Sequence, residues 1–183
     1  MHAVNLDRFG HIEHLKMGTD QQQAVYHLLT NAGLFDQLEA YDPLLVGTVP
    51  IDIAIATSDL DIVCCASDLD EFCRFAQETF SWRESFQLLK STFNQVPTVL
   101  VHFTLSTFEV ELFVQHVPSK LQHGYRHMIK EYEILASRGP DFRKQVLALK
   151  RAGLKTEPAF AKLLGLEGDP YERILNYHIH ENI

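Results

Sequence analysis

The chain has little of what would commit it to a disulfide scaffold, a membrane or a nucleic-acid surface. Its 183 residues include only three cysteines, Cys64, Cys65 and Cys73. Three thiols cannot all pair, and adjacent cysteines in a strand point to opposite faces. They read as reduced, packed residues, and the expected compartment is the cytoplasm. No run approaches the ~18 apolar residues of a membrane helix, so no membrane partner is expected. The opening Met1-His2-Ala3-Val4-Asn5 lacks an apolar stretch, so no signal peptide is expected either. Basic charge is scarce: 16 Lys and Arg against 24 Asp and Glu give a formal net charge of −8. Sequence-independent binding to DNA or RNA needs a basic face, so long nucleic acid is not the expected partner. Acidity does not exclude a small anionic substrate, because a bound cation inverts the local sign. Repeats, low-complexity tracts and long linkers are also absent. The remainder is an ordinary globular composition, 46% hydrophobic and 22% charged, long enough for one full core. A single domain over residues 1–183 is expected, with no indication of oligomeric state.

The order of elements follows from periodicity and caps. Thr19 caps a helix through Thr30, with Val25, Leu28 and Leu29 as its stripe, and Asn31-Ala32-Gly33 stops it. A short helical segment runs to Leu38. Pro43 to Val46 reads as a buried strand ending at Gly47, and Leu60 to Ala66 as a second strand. Ser67 or Asp68 caps a helix carrying Leu69, Phe72, Phe75 and Ala76. Phe80 to Phe93 is ambiguous, with room for a strand. Val96 to Leu105 and Thr107 to Gln115 are β-rich runs joined at Ser106, as a hairpin or successive strands. From about Ser119 the chain reads as helical, with Pro140 and Pro158 in first turns. The fold class is α+β (α/β), a small mixed sheet flanked by helices. A core over about 19–135 is followed by a C-terminal helical part over about 136–183.

The chemistry concentrates in three short stretches. Gly47-Thr48 forms a small turn after an apolar run, and Ser58-Asp59-Leu60-Asp61-Ile62 opens the next. Residues i and i+2 of a strand share a face, so Asp59 and Asp61 project together. Like charges so close repel unless a cation lies between them. An all-oxygen donor set favours Mg²⁺, or Mn²⁺. A turn with free N–H groups beside a metal is a layout for phosphoryl or nucleotidyl transfer. Glu109 and Glu111 alternate within Phe108 to Phe113 and supply a third carboxylate. Glu111, deeper in the run, is the favoured ligand, with Glu109 the alternative. The plain alternative for each is a wetted strand edge.

A second candidate is Gln122 to Lys130. His123, Arg126, His127 and Lys130 share a helix face by i, i+3 and i+4 spacing. That face offers phosphate-binding charge, or else simply pairs with Glu131 and Glu133. His123 and His127 have metal-ligand spacing but lack the Glu beside the first His that zinc hydrolases use. Cys64 and Cys65 read as packing, Trp82 and Arg83 as core or as a base-stacking pair, and His178 and His180 as terminal surface residues.

Taken in order, Gly47-Thr48, Ser58 to Ile62 and the acidic strand resemble the DNA polymerase beta-like nucleotidyltransferase superfamily. Gly47 to Ile51, the Ser-Asp-Leu-Asp-Ile stretch, Phe108 to Gln115 and Tyr125-Arg126-His127-Met128 more closely resemble the family known as domain of unknown function 4269. The resemblance spans roughly residues 40 to 135. It implies a nucleoside triphosphate held by Gly47, Thr48 and Ser58. It also implies Mg²⁺ (or Mn²⁺) on Asp59, Asp61 and Glu111 or Glu109, and a hydroxyl acceptor activated by the third carboxylate. The chain departs from the usual pattern in two places: Thr48 stands for Ser in the turn, and the Val49 to Thr57 segment has no basic residue and carries Pro50 and Asp52 instead. Arg126 and Lys130 are the expected substitutes. A non-catalytic nucleotide-binding module and a Mg²⁺-dependent phosphohydrolase are the rival functions.

Overall fold

A computed structural model of the chain describes residues 5–179. Residues 1–4, part of the stretch read for a leader, and His180 lie outside that range. Helix α1 (Asp20–Asn31) starts where its cap dictates: the Thr19 N–H donates to Gln22 Oε1 at 3.1 Å. Gly33, at φ 59°, ends it by turning the chain through the left-handed region into α2 (Leu34–Leu38). Ahead of α1 lie two 3-10 turns, Asp7–Gly10 and Ile12–Met17, that bury Phe9, Ile12 and Leu15. Their spacing is too short-ranged to show as helical periodicity.

Five strands follow: β1 (Leu44–Val46), β2 (Leu60–Cys65), β3 (Gln87–Phe93), β4 (Val96–Leu105) and β5 (Phe108–Gln115). They form one sheet in the order β1-β2-β5-β4-β3. β2 runs parallel to β5, and every other pair is antiparallel. A parallel pair needs a crossover, which α3 (Leu69–Phe80), β3 and β4 supply. Asp68 caps α3 by accepting from the N–H groups of Asp70 and Glu71. β4 and β5 are a hairpin whose turn places Ser106 at φ 59°. The ambiguous Phe80 to Phe93 stretch divides into the end of α3, a turn and β3. β3 is an edge strand with nearly every residue exposed, so it carries no burial alternation for a pattern to reveal.

The rest is helical: α4 (His123–Arg138), α5 (Pro140–Arg151), α6 (Thr156–Leu164) and α7 (Pro170–Leu175). Pro140 and Pro170 open α5 and α7, where the missing N–H costs nothing. Pro158 sits in the third position of α6 rather than the first, because the helix already begins at Thr156. The boundary expected near residue 136 falls inside α4, close to its end.

The sheet separates two cores. Leu60, Ile62, Cys64, Leu112 and Val114 pack with Val25, Leu29, Phe72 and Phe80 of α1 and α3. Val46 and Val63 pack on the other side with Tyr125, Met128, Ile134, Val146, Phe160 and Ile174. Strand alternation therefore turns Asp61, which lies between Leu60 and Ile62, toward the α4–α7 side. Gly124 lets α4 lie close there: a Cβ on it would meet Val63 Cγ1 at 3.3 Å and Val46 Cγ2 at 3.4 Å.

Candidate active site

The β1–β2 loop, Gly47 to Asp59, is held by long side chains that satisfy its carbonyls. Gln22 Nε2 donates to Val49 O at 2.9 Å and to Pro50 O at 3.2 Å. Arg143 Nη1 donates to Asp52 O at 2.9 Å and also to Ile51 O. Lys150 Nζ donates to Ile53 O at 2.8 Å. Within the loop, the Ile53 N–H returns to Thr48 O at 3.1 Å and the Ile55 N–H reaches Ser58 Oγ at 3.0 Å. Thr48 Oγ1 donates to Ser58 Oγ at 3.3 Å. A backbone this well satisfied does not need regular structure to be ordered.

Gly47 is at φ 72°, and a Cβ there would stand 2.3 Å from Asp61 Oδ2. The turn and the carboxylate therefore touch, and only glycine fits between them. Asp61 is the direct register partner of Glu111 across the parallel β2–β5 pair, so the two side chains emerge side by side. Asp59, two residues before Asp61, takes the same side. All three line one cavity of about 1160 Å³ with Gly47, Thr48 and Ser58. Glu109 is exposed and outside that lining, one pleat nearer the hairpin turn.

The electrostatics are those of crowded acids. Burial, then the charges of Asp59 and Glu111, push the Asp61 carboxyl up to about 7. Glu111 is also raised, chiefly by burial, with His102 opposing; His102 Nε2 lies 3.4 Å from Glu111 Oε2. Among the described residues, Asp59 and Asp61 make no ion pair. A divalent cation suits this set: all donors are oxygens lining one cavity, and among the described residues Asp59 and Asp61 have no cationic side chain in contact.

The expectation for Arg126 and Lys130 does not fit the packing. Arg126 is exposed, Lys130 pairs with Glu133 at 2.9 Å, and neither lines the cavity. The α4 residues that do are His123, Gly124, His127, Met128 and Glu131, because Gly124 sets which face meets the sheet. The cavity's lysines are Lys150 and Lys155, from the far end of the chain. Lys150 is buried, and that burial lowers its pKa while Glu131, Glu157, Asp59 and Asp61 act to raise it. Glu131 and Glu157 line the same cavity. Sequence reasoning missed both. The signal for Glu131 was available: it stands in the buried stripe of His127, Met128, Ile134 and Leu135, where an apolar residue belongs.

The five-stranded mixed sheet and its flanking helices define an α+β fold that the chain shares with the solved structures named below. The chain belongs to the family described as domain of unknown function (DUF4269), whose signature matches residues 27–177. A sequence search of curated proteins gives no match. Among solved structures, it is similar to the Cid1 poly(U) polymerase bound to Mg and 3'-dATP, with TM-score 0.50 and 12% identity over 81% of this chain and 47% of that one. It is also similar to the polymerase core of TRAMP, an RNA surveillance complex, with TM-score 0.50 and 13% identity over 89% of this chain and 50% of the other. A cytoplasmic RNA terminal U-transferase gives TM-score 0.50 and 14% identity over 78% and 46%. These likenesses establish fold. The chain spans about half the length of each of those structures. No described helix is long and apolar enough to cross a membrane.

Proposed function

We propose that the chain is a metal-dependent nucleotidyltransferase that moves a nucleoside monophosphate from a nucleoside triphosphate to a hydroxyl acceptor. The observation that supports this reading is a shared cavity lined by Asp59, Asp61 and Glu111, in which Asp61 abuts a glycine turn with no room for a side chain and stands in register with Glu111. Asp59, Asp61 and Glu111 would hold Mg²⁺ or Mn²⁺, which when bound supplies Lewis-acid charge to the phosphates. Gly47 lets the backbone come close to phosphate oxygens, and the Thr48 and Ser58 hydroxyls orient them. Lys150 and Lys155 add the positive charge that the β1–β2 loop lacks. In the reaction the acceptor oxygen attacks the α-phosphorus, the bond to the bridging oxygen of the β-phosphate breaks, and pyrophosphate leaves. Glu111 would take the hydroxyl proton. The net charge of −8 favours a small-molecule or protein acceptor over long nucleic acid.

The test is transfer of label from α-³²P nucleoside triphosphates to an acceptor library, or to the chain itself. Activity is expected to require divalent metal and to vanish in Asp61→Asn. Tight metal–nucleotide binding with no transfer or pyrophosphate release across the library would replace this reading with a nucleotide-binding module on the same fold.

A further inference from the structure

The cavity contains a second group of ligands that nucleotide transfer does not use. His127 and Glu131 lie one turn apart on α4, and Glu157 lies in the first turn of α6. One ligand atom from each lies within 4.8 Å of the others. His127 is 8% exposed and Glu131 is 3% exposed. His127 Nδ1 and Glu131 Oε1 are fully enclosed and, among the described residues, have no hydrogen-bond partner. Such groups are costly to bury unless something ligates them. Lys150, whose charge acts on both glutamates, does not. Lys150 spends its ammonium on the Ile53 carbonyl at 2.8 Å and makes no ion pair with either glutamate. His123, the other histidine at this end of α4, turns instead toward Asn94 Nδ2 at 3.3 Å.

We infer that His127, Glu131 and Glu157 form a binding site for a divalent transition-metal ion of the Zn²⁺ type, separate from the Asp59–Asp61–Glu111 set. The donor chemistry makes the distinction. An imidazole nitrogen with two carboxylates suits Zn²⁺, whereas Mg²⁺ prefers oxygen donors and keeps its waters. Zinc bonds of about 2.1 Å in a tetrahedron need ligand atoms about 3.4 Å apart, so each side chain moves by about an ångström or less. Three protein ligands leave a fourth position for water, facing the cavity. The ion would tie α6 to α4. It would also let Glu131, which burial drives toward its protonated form, ionise in place. This site stands whether or not the chain transfers nucleotides.

The test uses the full chain, stripped with chelator and titrated with Zn²⁺ alone by calorimetry. One Zn²⁺ per chain is expected to remain at this site when the titration is repeated in excess Mg²⁺, which occupies the carboxylate set. Glu157→Gln and His127→Gln should each weaken it about 100-fold, at least the scale of losing a supporting partner. Asp61→Asn should retain the affinity within about twofold, as a separate site would. In the unaltered chain, imidazole NMR should show His127 shifting on Zn²⁺ addition while His178 stays put. That readout remains if a variant fails to fold. Absence of stoichiometric Zn²⁺ binding, or an unmoved His127 resonance, overturns the proposal. So does Zn²⁺ binding abolished by Asp61→Asn but kept by both other variants, which would assign the ion to the carboxylate set.

Discussion

The two faces of the sheet are built to different rules. The face toward α1–α3 buries Leu60, Ile62, Leu112, Phe72 and Phe80, with scarcely a charge among them. The face toward α4–α7 has an apolar core too, yet at its edge it encloses Glu131, Lys150 and His127. Both faces use the same strands: in β2, Leu60, Ile62 and Cys64 serve one while Asp61 and Val63 serve the other. Burial stabilises apolar groups and penalises charged ones. Apolar burial stabilises both faces, and the second also bears the cost of enclosing ionisable groups at its edge. Variants on each face should separate these two effects.

The largest expected effect is on the first face. Phe72 is fully buried and packs edge-on against Tyr41 with ring centroids 4.8 Å apart. Phe72→Ala should lower unfolding free energy by about 3–5 kcal/mol, measured by denaturant titration. Asp61→Asn should do the reverse at pH 8 in chelator, leaving stability unchanged or higher, while abolishing Mg²⁺ binding. If Asp61→Asn destabilises the metal-free chain as Phe72→Ala does, the two faces are not distinct in this sense.

Next is the point where turn and carboxylate meet. Gly47→Ala places a methyl against Asp61 Oδ2 in a left-handed backbone. It should cost about 1–3 kcal/mol in strain and reduce Mg²⁺ affinity, because Asp61 must move. A crystal structure of Gly47→Ala with Asp61 undisplaced would remove this account of the glycine.

A smaller effect is the pH dependence of the metal-free chain. Asp61 is raised to about 7, and Glu111, Glu131 and Glu157 are raised as well, each chiefly by burial. The folded state then binds more protons than the unfolded one, so these groups' stabilisation is present at low pH and lost as pH rises through their folded values. For Asp61 the window is from its ordinary value up to about 7. His127 acts oppositely: burial lowers it to about 4, so its share is lost as pH falls through that value. In chelator, melting temperature should fall from pH 5 to pH 8. Because the cavity is open to solvent, Asp61's share is about 1–2 kcal/mol rather than the full value of its shift. Mg²⁺ should flatten the slope, as should Asp61→Asn in chelator. A melting temperature that rises steadily over that interval would mean that His127 outweighs all four acids.

The contrast between faces also explains what could be read from the chain alone. The alternation in Leu60 to Cys65 and Phe108 to Gln115 makes β2 and β5 legible, and it puts Asp59 with Asp61 and Glu109 with Glu111. Their side-by-side register depends on a crossover of more than 40 residues, which no local pattern carries. Depth in the run alone favours Glu111 over Glu109, whereas the register with Asp61 and the cavity's outline are tertiary facts that no local pattern carries. β3 was obscure because an exposed edge strand has no buried phase. The ligands from α4 and α6 were obscure for a different reason. Glu131 and Glu157 come from helices whose angle to the sheet is set by packing such as that of Gly124, not by their own sequence.

The smallest expected effect concerns the charge at α4. Helical spacing alone makes Arg126 a phosphate ligand, and a charge-assisted hydrogen bond there would be worth about 1.5–3 kcal/mol. The packed helix instead presents His123, His127 and Glu131 to the cavity and leaves Arg126 in solvent. Arg126→Ala should therefore change both stability and nucleotide affinity by no more than about 0.5 kcal/mol. Lys155 is exposed as well but lies at the cavity wall. Lys155→Ala should weaken binding of a Mg²⁺–nucleoside triphosphate by about 1 kcal/mol, and more at low salt than at high, since an exposed charge acts through a screened field. Isothermal titration of the two variants at two ionic strengths decides between the helices. A larger loss in Arg126→Ala would mean that α4 rotates on nucleotide binding and that its charged face, not the α5–α6 junction, meets the phosphates.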